Sequence, residues 1–202
     1  MADRISRRDV VREAMTLLDG DGVDAVTLRG VARRLGVHLN SVSLQVGSKA
    51  RLLDLMADAI LGELSFDDLP ADPIERIKAI FRRYRRVLLD HRDGAHLVSG
   101  TRVSETNTLR LGNAVIAALL DAGVDAELAV TTFWGLNYFV VGLVHEEQTL
   151  PDDGAQRFEQ ELEAHSFPAL ETVRDLFLGD DAEARLEFGM DALLHRARHQ
   201  GD

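Results

Sequence analysis

The sequence predicts an all-α fold, and three observations support this prediction. Apolar residues recur every three or four positions along almost the whole chain of 202 residues, which is the period of a helix with one buried face. Only 4 prolines interrupt this pattern. Serine, threonine or aspartate precedes most of the apolar stretches, as at helix N-caps. Hydrophobic residues make up 46% of the chain, so the helices can bury a sizeable core.

Three short helices are predicted within the first 47 residues. The first spans about 7–19 and follows Ser6, a good N-cap residue. The second spans about 28–35 and follows Thr27, and the third spans about 39–45. A capped helix, a glycine turn and a second short helix form the pattern of a helix-turn-helix. The same pattern also fits a plain helical hairpin, so by itself it leaves DNA binding open.

If the pattern is a helix-turn-helix, its second helix enters the major groove of DNA. Asn40 and Gln45 can then pair with adenine edges, and Leu44 can contact a thymine methyl group. Arg29 can reach a guanine, and Lys49 can hold a phosphate at a helix N-terminus. The residues that we expect to contact DNA are Thr27, Arg29, His38, Leu39, Asn40, Ser41, Ser43, Leu44, Gln45 and Lys49.

The charge of the chain is unevenly distributed. Its formal net charge is -11, but residues 1–50 carry eight basic and six acidic side chains, a balance of +2. The remainder carries 15 basic and 28 acidic side chains, a balance of -13. An acidic body would repel phosphate and help to orient a weakly basic head towards DNA. The alternative is an ordinary acidic protein with scattered charge.

The sequence after residue 47 predicts a helical body. Its helices are expected at about 49–64, 73–90, 95–99, 105–121 behind Ser104, 126–147, 155–163, 168–178 and 182–198. The most apolar stretch, 129–144, is shorter than the roughly 20 residues that span a membrane, so we expect a buried core helix there. The N-terminus shows no apolar signal core, so we expect a cytoplasmic protein.

Several motifs resemble the tetracycline-repressor (TetR) family, and together they cover nearly the whole chain. The head carries Thr27-x-Arg29-x-Val31-Ala32-x-x-Leu35-Gly36-Val37 and Lys49-x-x-Leu52-Leu53-Asp54; the body carries Leu88-Leu89-Asp90-His91-Arg92-Asp93-Gly94-Ala95, Gly100-Thr101-Arg102 and Gly142-x-Val144-x-Glu146-Glu147-Gln148. The resemblance implies a three-helix DNA-binding domain at 1–47, joined through a linking helix at 48–65 to a ligand-sensing and dimerisation domain that completes 48–202. It also implies a repressor that binds a palindromic operator as a homodimer. Ser43 replaces an aromatic residue usual in the family, so we expect a different operator from that of the tetracycline repressors.

The resemblance also implies a small-molecule pocket in the body. The tetracycline repressors hold their magnesium-bound ligand with a histidine at the position of Val98, and an aliphatic side chain cannot bind magnesium. We therefore expect no metal, no cofactor and an effector other than magnesium-tetracycline. The expected ligand-binding residues are Ile80, Tyr84, Val98, Thr101, Arg102, Asn113, Phe133, Trp134 and Asn137. Phe133 and Trp134 also fit a simple core role, and 145–147 fits either a polar gate to the pocket or an exposed acidic helix end.

Two other classes of function need to be considered. The first is an enzyme, which is not expected because the sequence has no cysteine, no nucleophile-elbow motif and no metal-ligand spacing. The second alternative is a helix-turn-helix regulator that has no small-molecule ligand and is constitutive or controlled by a protein partner. A drug-sized cavity in the body would favour a sensor, and a filled core would favour this alternative.

Overall fold

The computed structural model describes residues 5–101, 105–150, 153–177, 179 and 181–198, and no strand occurs among them. Its head consists of α1 (Arg7–Asp21), a 3-10 turn (Val23–Ala25), α2 (Leu28–Leu35) and α3 (Leu39–Val46). Ser6 and Asp9 form a reciprocal capping box at the start of α1, and the Thr27 hydroxyl accepts from the Gly30 amide to cap α2. Gly36 ends α2 in the left-handed conformation, as a helix-turn-helix requires.

Helix α1 of the head ends later than the sequence predicts. The first helix was expected to end at about residue 19, but it continues to Asp21 and ends at Gly22, which has a φ of 84°. The Gly22 amide donates to the Leu18 carbonyl and closes the last turn. A Cβ atom at Gly22 would lie 2.9 Å from a carboxylate oxygen of Asp93, so the glycine also allows the body to approach the head.

The body is built around one central helix. Its elements are α4 (Lys49–Gly62), α5 (Pro73–Leu89), α6 (Gly94–Ser99), α7 (Thr106–Asp121), α8 (Ala126–Thr149), α9 (Gly154–Ala164), α10 (Pro168–Thr172), α11 (Arg174–Phe177) and α12 (Ala182–Arg198). α8 packs against α5, α6, α7 and α12. By length and composition it is the one described helix that is able to cross a membrane. Leu136, Val140 and Val144 are wholly buried in the protein, which fits the predicted core helix.

Two predicted elements of the body need correction. The helix expected over 168–178 is broken at Val173 into α10 and α11. Ser104, the expected cap of α7, lies outside the described residues, and the N-cap position is occupied by Glu105. The Glu105 side chain makes no capping hydrogen bond, so the first turn of α7 is satisfied from elsewhere in the fold.

Ion pairs fix α12 against α5. The buried Lys78 ammonium lies 2.7 Å from a carboxylate oxygen of Asp191, and both Lys78 and Arg82 bond to Glu187. The hydrogen bond from Arg82 lowers the pKa of Glu187 below its ordinary value. These contacts hold one side of α12 to the body, while Phe188 on α12 is 78% exposed.

Candidate DNA-reading surface and ligand cavity

The recognition helix α3 is anchored by two valines and presents polar residues outwards. Val42 and Val46 are buried in the head. His38, Leu39 and Asn40 are exposed. A further set is partly buried and consists of Ser41, Ser43 and Gln45. The outward surface of α3 is therefore exposed at some of the predicted positions and partly covered at others.

Leu44 is the most exposed large apolar side chain of the described residues, at 84%. An apolar side chain so far from the core gains nothing from burial in the free protein. It can gain on contact with a thymine methyl group in the major groove. Leu44 is therefore available for contact with a partner of the free protein.

The flanking residues predicted to contact DNA are also accessible. Thr27, Arg29 and Lys49 are exposed, and Lys49 is the first residue of α4. The Thr27 hydroxyl oxygen accepts from the Gly30 amide at 2.9 Å, so the oxygen is used in capping. Its hydroxyl hydrogen can still be donated to a phosphate.

A cavity of about 600 Å³ lies in the body below the head. This volume is in the range of sites that enclose drug-sized ligands, about 300–1,000 Å³. Its walls come from α4, α5, α6, α7 and α8. The lining residues are Leu61, Tyr84, Val98, Ser99, Thr101, Thr108, Leu111, Phe133, Trp134, Asn137, Tyr138, Val141, Gly142 and His145. These described lining residues include no Lys, Arg, Asp or Glu.

One wall of the cavity is aromatic. The Phe133 and Trp134 rings meet edge to face at 5.3 Å, and Trp134 stacks on Tyr138 at 5.5 Å with an angle of 26° between the planes. Tyr138 is 66% exposed, so this wall continues to the surface of α8. Stacked and edge-to-face rings present a flat, polarisable surface to a planar ligand.

Tyr84 and Asn137 form a hydrogen-bonded polar pair in the cavity lining. The Tyr84 side chain is wholly buried, and burial raises the pKa of its hydroxyl above the ordinary value. The hydroxyl therefore stays protonated and donates to the Asn137 amide oxygen at 3.3 Å. At another point of the lining, His145 stacks on His96 with 6.0 Å between the ring centroids. The site thus offers uncharged donors and acceptors beside an aromatic surface.

The structure brings together most, but not all, of the predicted ligand-binding residues. Six of them line the cavity: Tyr84, Val98, Thr101, Phe133, Trp134 and Asn137. Ile80 is wholly buried in the core and does not line it. Asn113 is exposed and lines a separate shallow depression with Phe66. Arg102 lies outside the described residues.

Several lining residues were not among those predicted, although helical spacing identifies them. Starting from Trp134, the positions four, seven and eleven residues later on α8 face the same side. They are Tyr138, Val141 and His145, and all three line the cavity. His145 and Glu146 are both exposed at this helix end, but His145 also lines the cavity, and Glu147 is half-buried and pairs with the side chain of Arg85.

The turn between α5 and α6 contacts the head. His91 lies 3.0 Å from a carboxylate oxygen of Asp19 in α1 and 3.2 Å from the carboxylate of Glu63. Asp93 accepts a hydrogen bond of 2.9 Å from the Val23 amide. His91 and Asp93 therefore join the head to the body from within this turn.

Gln148 fixes this turn to the helix that lines the cavity. Its amide nitrogen donates to the carbonyl oxygens of Leu88 and His91 at 3.0 and 2.8 Å. Its amide oxygen accepts from the Ala95 amide at 3.2 Å. Gln148 lies one turn after His145 on α8, so the cavity wall and the turn against the head are connected by hydrogen bonds.

Comparison with known proteins agrees with this architecture. Residues 68–195 match the family model described as tetracyclin repressor-like, C-terminal domain. The chain is 34% identical over 190 residues to the tetracycline repressor protein class A from transposon 1721 of Escherichia coli, covering 93% of this chain and 88% of that protein. It is also 34% identical to an HTH-type transcriptional regulator of Saccharopolyspora erythraea, covering 71% of this chain and 61% of the relative.

Solved structures extend the similarity to the whole fold. Apo ActR from Streptomyces coelicolor superposes with a TM-score of 0.88 at 26% identity, covering 98% of this chain and 97% of ActR. ActR in complex with actinorhodin gives 0.87 at 26% identity, covering 98% and 96%. BioQ with its double-stranded DNA operator gives 0.67 at 30% identity, covering 80% and 99%. The chain therefore belongs to the tetracycline-repressor (TetR) family of transcriptional regulators.

Proposed function

We propose that this protein is a cytoplasmic repressor that binds a palindromic operator as a homodimer and is released by a neutral aromatic small molecule. The cavity of about 600 Å³ carries this proposal: it is partly aromatic, and its described lining residues include no Lys, Arg, Asp or Glu. An open cavity of this size favours a small-molecule sensor over a regulator without a ligand. We further propose 1–47 as the DNA-binding domain and 48–202 as the sensing and dimerisation domain.

The operator is read by α3 in this proposal. The exposed Asn40 and Leu44 can contact bases, and Arg29 and Lys49 can support the helix from its flanks. BioQ, which is similar to this chain, has been solved with its operator. Because Ser43 stands where relatives carry an aromatic residue, the preferred operator sequence is this protein's own.

Dimerisation is supported by the outer surface of α8 and α12. Val130 and Tyr138 on α8 and Phe188 on α12 are exposed in the single chain. Grouped apolar side chains on a protein surface are typical of an interface between proteins. A symmetric dimer would place two recognition helices about one turn of DNA apart, which matches a palindrome.

The effector in this proposal is planar, aromatic and uncharged. Trp134 and Tyr138 supply a stacking surface, and Asn137 and Tyr84 supply hydrogen bonds at its edge. A charged effector would lose its hydration without gaining an opposite charge from the described lining. Val98 offers no ligand to magnesium, so a metal-bound tetracycline lacks a necessary contact.

A matched pair of dyes tests the effector class through the intrinsic fluorescence of Trp134, the only tryptophan in the chain. N-phenyl-1-naphthylamine is neutral, and 8-anilino-1-naphthalenesulfonate has the same rings with one added sulfonate. We expect saturable quenching of Trp134 by the neutral dye at pH 8. The anionic dye should bind about tenfold more weakly or worse, because an unpaired charge in an apolar site costs at least 1.4 kcal/mol.

The variant Tyr138→Leu provides the internal control for this experiment. It removes the ring that stacks on Trp134 but keeps an apolar side chain at the same position. The neutral dye should bind this variant less tightly. Equal binding of the two dyes, or quenching unaffected by the variant, would contradict a neutral aromatic site.

A further inference from the structure

Helix α4 connects the DNA-reading helix to the cavity. It begins at Lys49, shortly after α3 ends at Val46, and Leu61 near its other end lines the cavity. The direction of α4 therefore sets where α3 lies relative to the body. The contacts that hold α4 to the body decide how well that direction is defined.

Asp58 in α4 caps a helix of the body from a distant part of the chain. Its carboxylate accepts from the backbone amides of Asn107 and Thr108 at 2.7 and 3.0 Å, in the first turn of α7. The N-cap residue Glu105 makes no such bond with its side chain, so Asp58 takes over that role. The carboxylate also lies at the positive end of the α7 dipole.

The Asn107 side chain adds to these bonds in the same direction. Its amide nitrogen donates to the Asp58 carbonyl at 3.1 Å and to its carboxylate at 3.0 Å. Seven residues earlier in α4, Arg51 forms a two-pronged ion pair with Glu105. The hydrogen bond that Arg51 donates to the Glu105 carboxylate raises the pKa of Arg51. Together these contacts hold α4 at two points along its length to the N-terminus of α7.

We propose that Asp58 is a positioning residue that fixes the direction of the recognition helix relative to the cavity wall. Thr108, which bonds to Asp58 through its amide, and Leu61, one turn after Asp58, both line the cavity. A molecule that fills the cavity therefore contacts both α4, at Leu61, and α7, at Thr108. The inference rests on the proposed function in one respect: a change in the direction of α3 corresponds to operator release only if the protein is a ligand-controlled repressor.

The chain offers a direct way to measure the direction of the head. It has one tryptophan, Trp134 in the body, and no cysteine. A single cysteine introduced by Thr16→Cys at an exposed position of α1 can carry an acceptor dye for energy transfer from Trp134. Time-resolved transfer in the ligand-free protein, without DNA, then gives the distribution of distances between head and body.

Four variants test Asp58 in this background. Asp58→Ala removes the cap, and Asp58→Asn keeps an acceptor for the two amides but turns an NH₂ group towards that of Asn107. The double variant Asp58→Asn with Asn107→Asp exchanges the two side chains and restores a donor opposite an acceptor. Asp72→Ala is the matched control, because Asp72 caps α5 through the Glu75 amide at 2.9 Å.

We expect Asp58→Ala to broaden the distance distribution, Asp58→Asn to broaden it less, and the double variant to narrow it again. Asp72→Ala should lower thermal stability without broadening the distribution. Operator affinity of Asp58→Ala should fall by about tenfold, within the range for residues that couple distant sites. An unchanged distribution in Asp58→Ala, equal broadening in Asp72→Ala, or a double variant as broad as Asp58→Asn would overturn the proposal. Because the distances need neither DNA nor effector, failure of the proposed function is a separate result.

Discussion

Gly94→Ala is expected to lower the free energy of unfolding by about 3 kcal/mol, at the upper end of overpacking substitutions. A Cβ atom at Gly94 would fall well inside contact distance of the Leu88 carbonyl oxygen, which belongs to the backbone and cannot rotate away. The same oxygen accepts a hydrogen bond from Gln148. The turn must therefore shift, and its contacts with the head and with α8 weaken together.

Gly20→Ala is the matched control for this substitution. Gly20 is also in a helix, but a Cβ atom there meets nothing within 4 Å. This variant should be stabilised by about 0.5–1 kcal/mol, because alanine loses less conformational entropy than glycine in a helix. Urea denaturation followed by circular dichroism measures both. If the two variants had similar free energies of unfolding, the close approach between Gly94 and the Leu88 carbonyl oxygen would not constrain residue 94 to glycine.

Phe188→Asp is expected to prevent the proposed dimer from forming at micromolar concentration. The Phe188 side chain is 78% exposed in the single chain, so its replacement costs the isolated fold little. In a symmetric dimer the change would place two unpaired carboxylates in an apolar interface, and each buried unpaired charge costs about 3–5 kcal/mol. Sedimentation velocity reports the change in mass.

Leu109→Asp provides the control for the dimer prediction. Leu109 is another exposed apolar residue, at 55%, but it lies on α7 beside a separate depression. This variant should remain dimeric and keep its affinity for the operator. If Phe188→Asp stays dimeric, or if Leu109→Asp dissociates equally, then the outer surface of α8 and α12 is not the interface.

Local signals in the sequence predict the helices of the head well. Ser6 and Thr27 cap α1 and α2 as their residue types suggest, and Gly36 ends α2. The end of α1 was placed too early because two glycines stand close together in the sequence. Only Gly22 has a positive φ, and the Val23 amide that follows it donates to Asp93 of the body. Such a tertiary contact leaves no local signal.

The cavity was predicted in part for a similar reason. Resemblance to the family and the apolar pattern of α8 identified Trp134 and Asn137, and helical spacing alone would have added Tyr138 and His145. Ile80 was expected at the site but is turned into the core, because helix rotation depends on packing with neighbours. The capping role of Asp58 links residues about fifty positions apart, so no sequence window contains both partners.

Recognition of a specific operator by α3 is tested most directly by footprinting on the DNA that flanks the protein's own gene. We expect protection of a palindrome, with affinity that falls as salt concentration rises. Leu44→Asp should abolish the protection, because it places a negative charge in the major groove without disturbing the buried Val42 and Val46. Absence of a protected palindrome, or protection that persists in Leu44→Asp, would show that α3 does not read the operator.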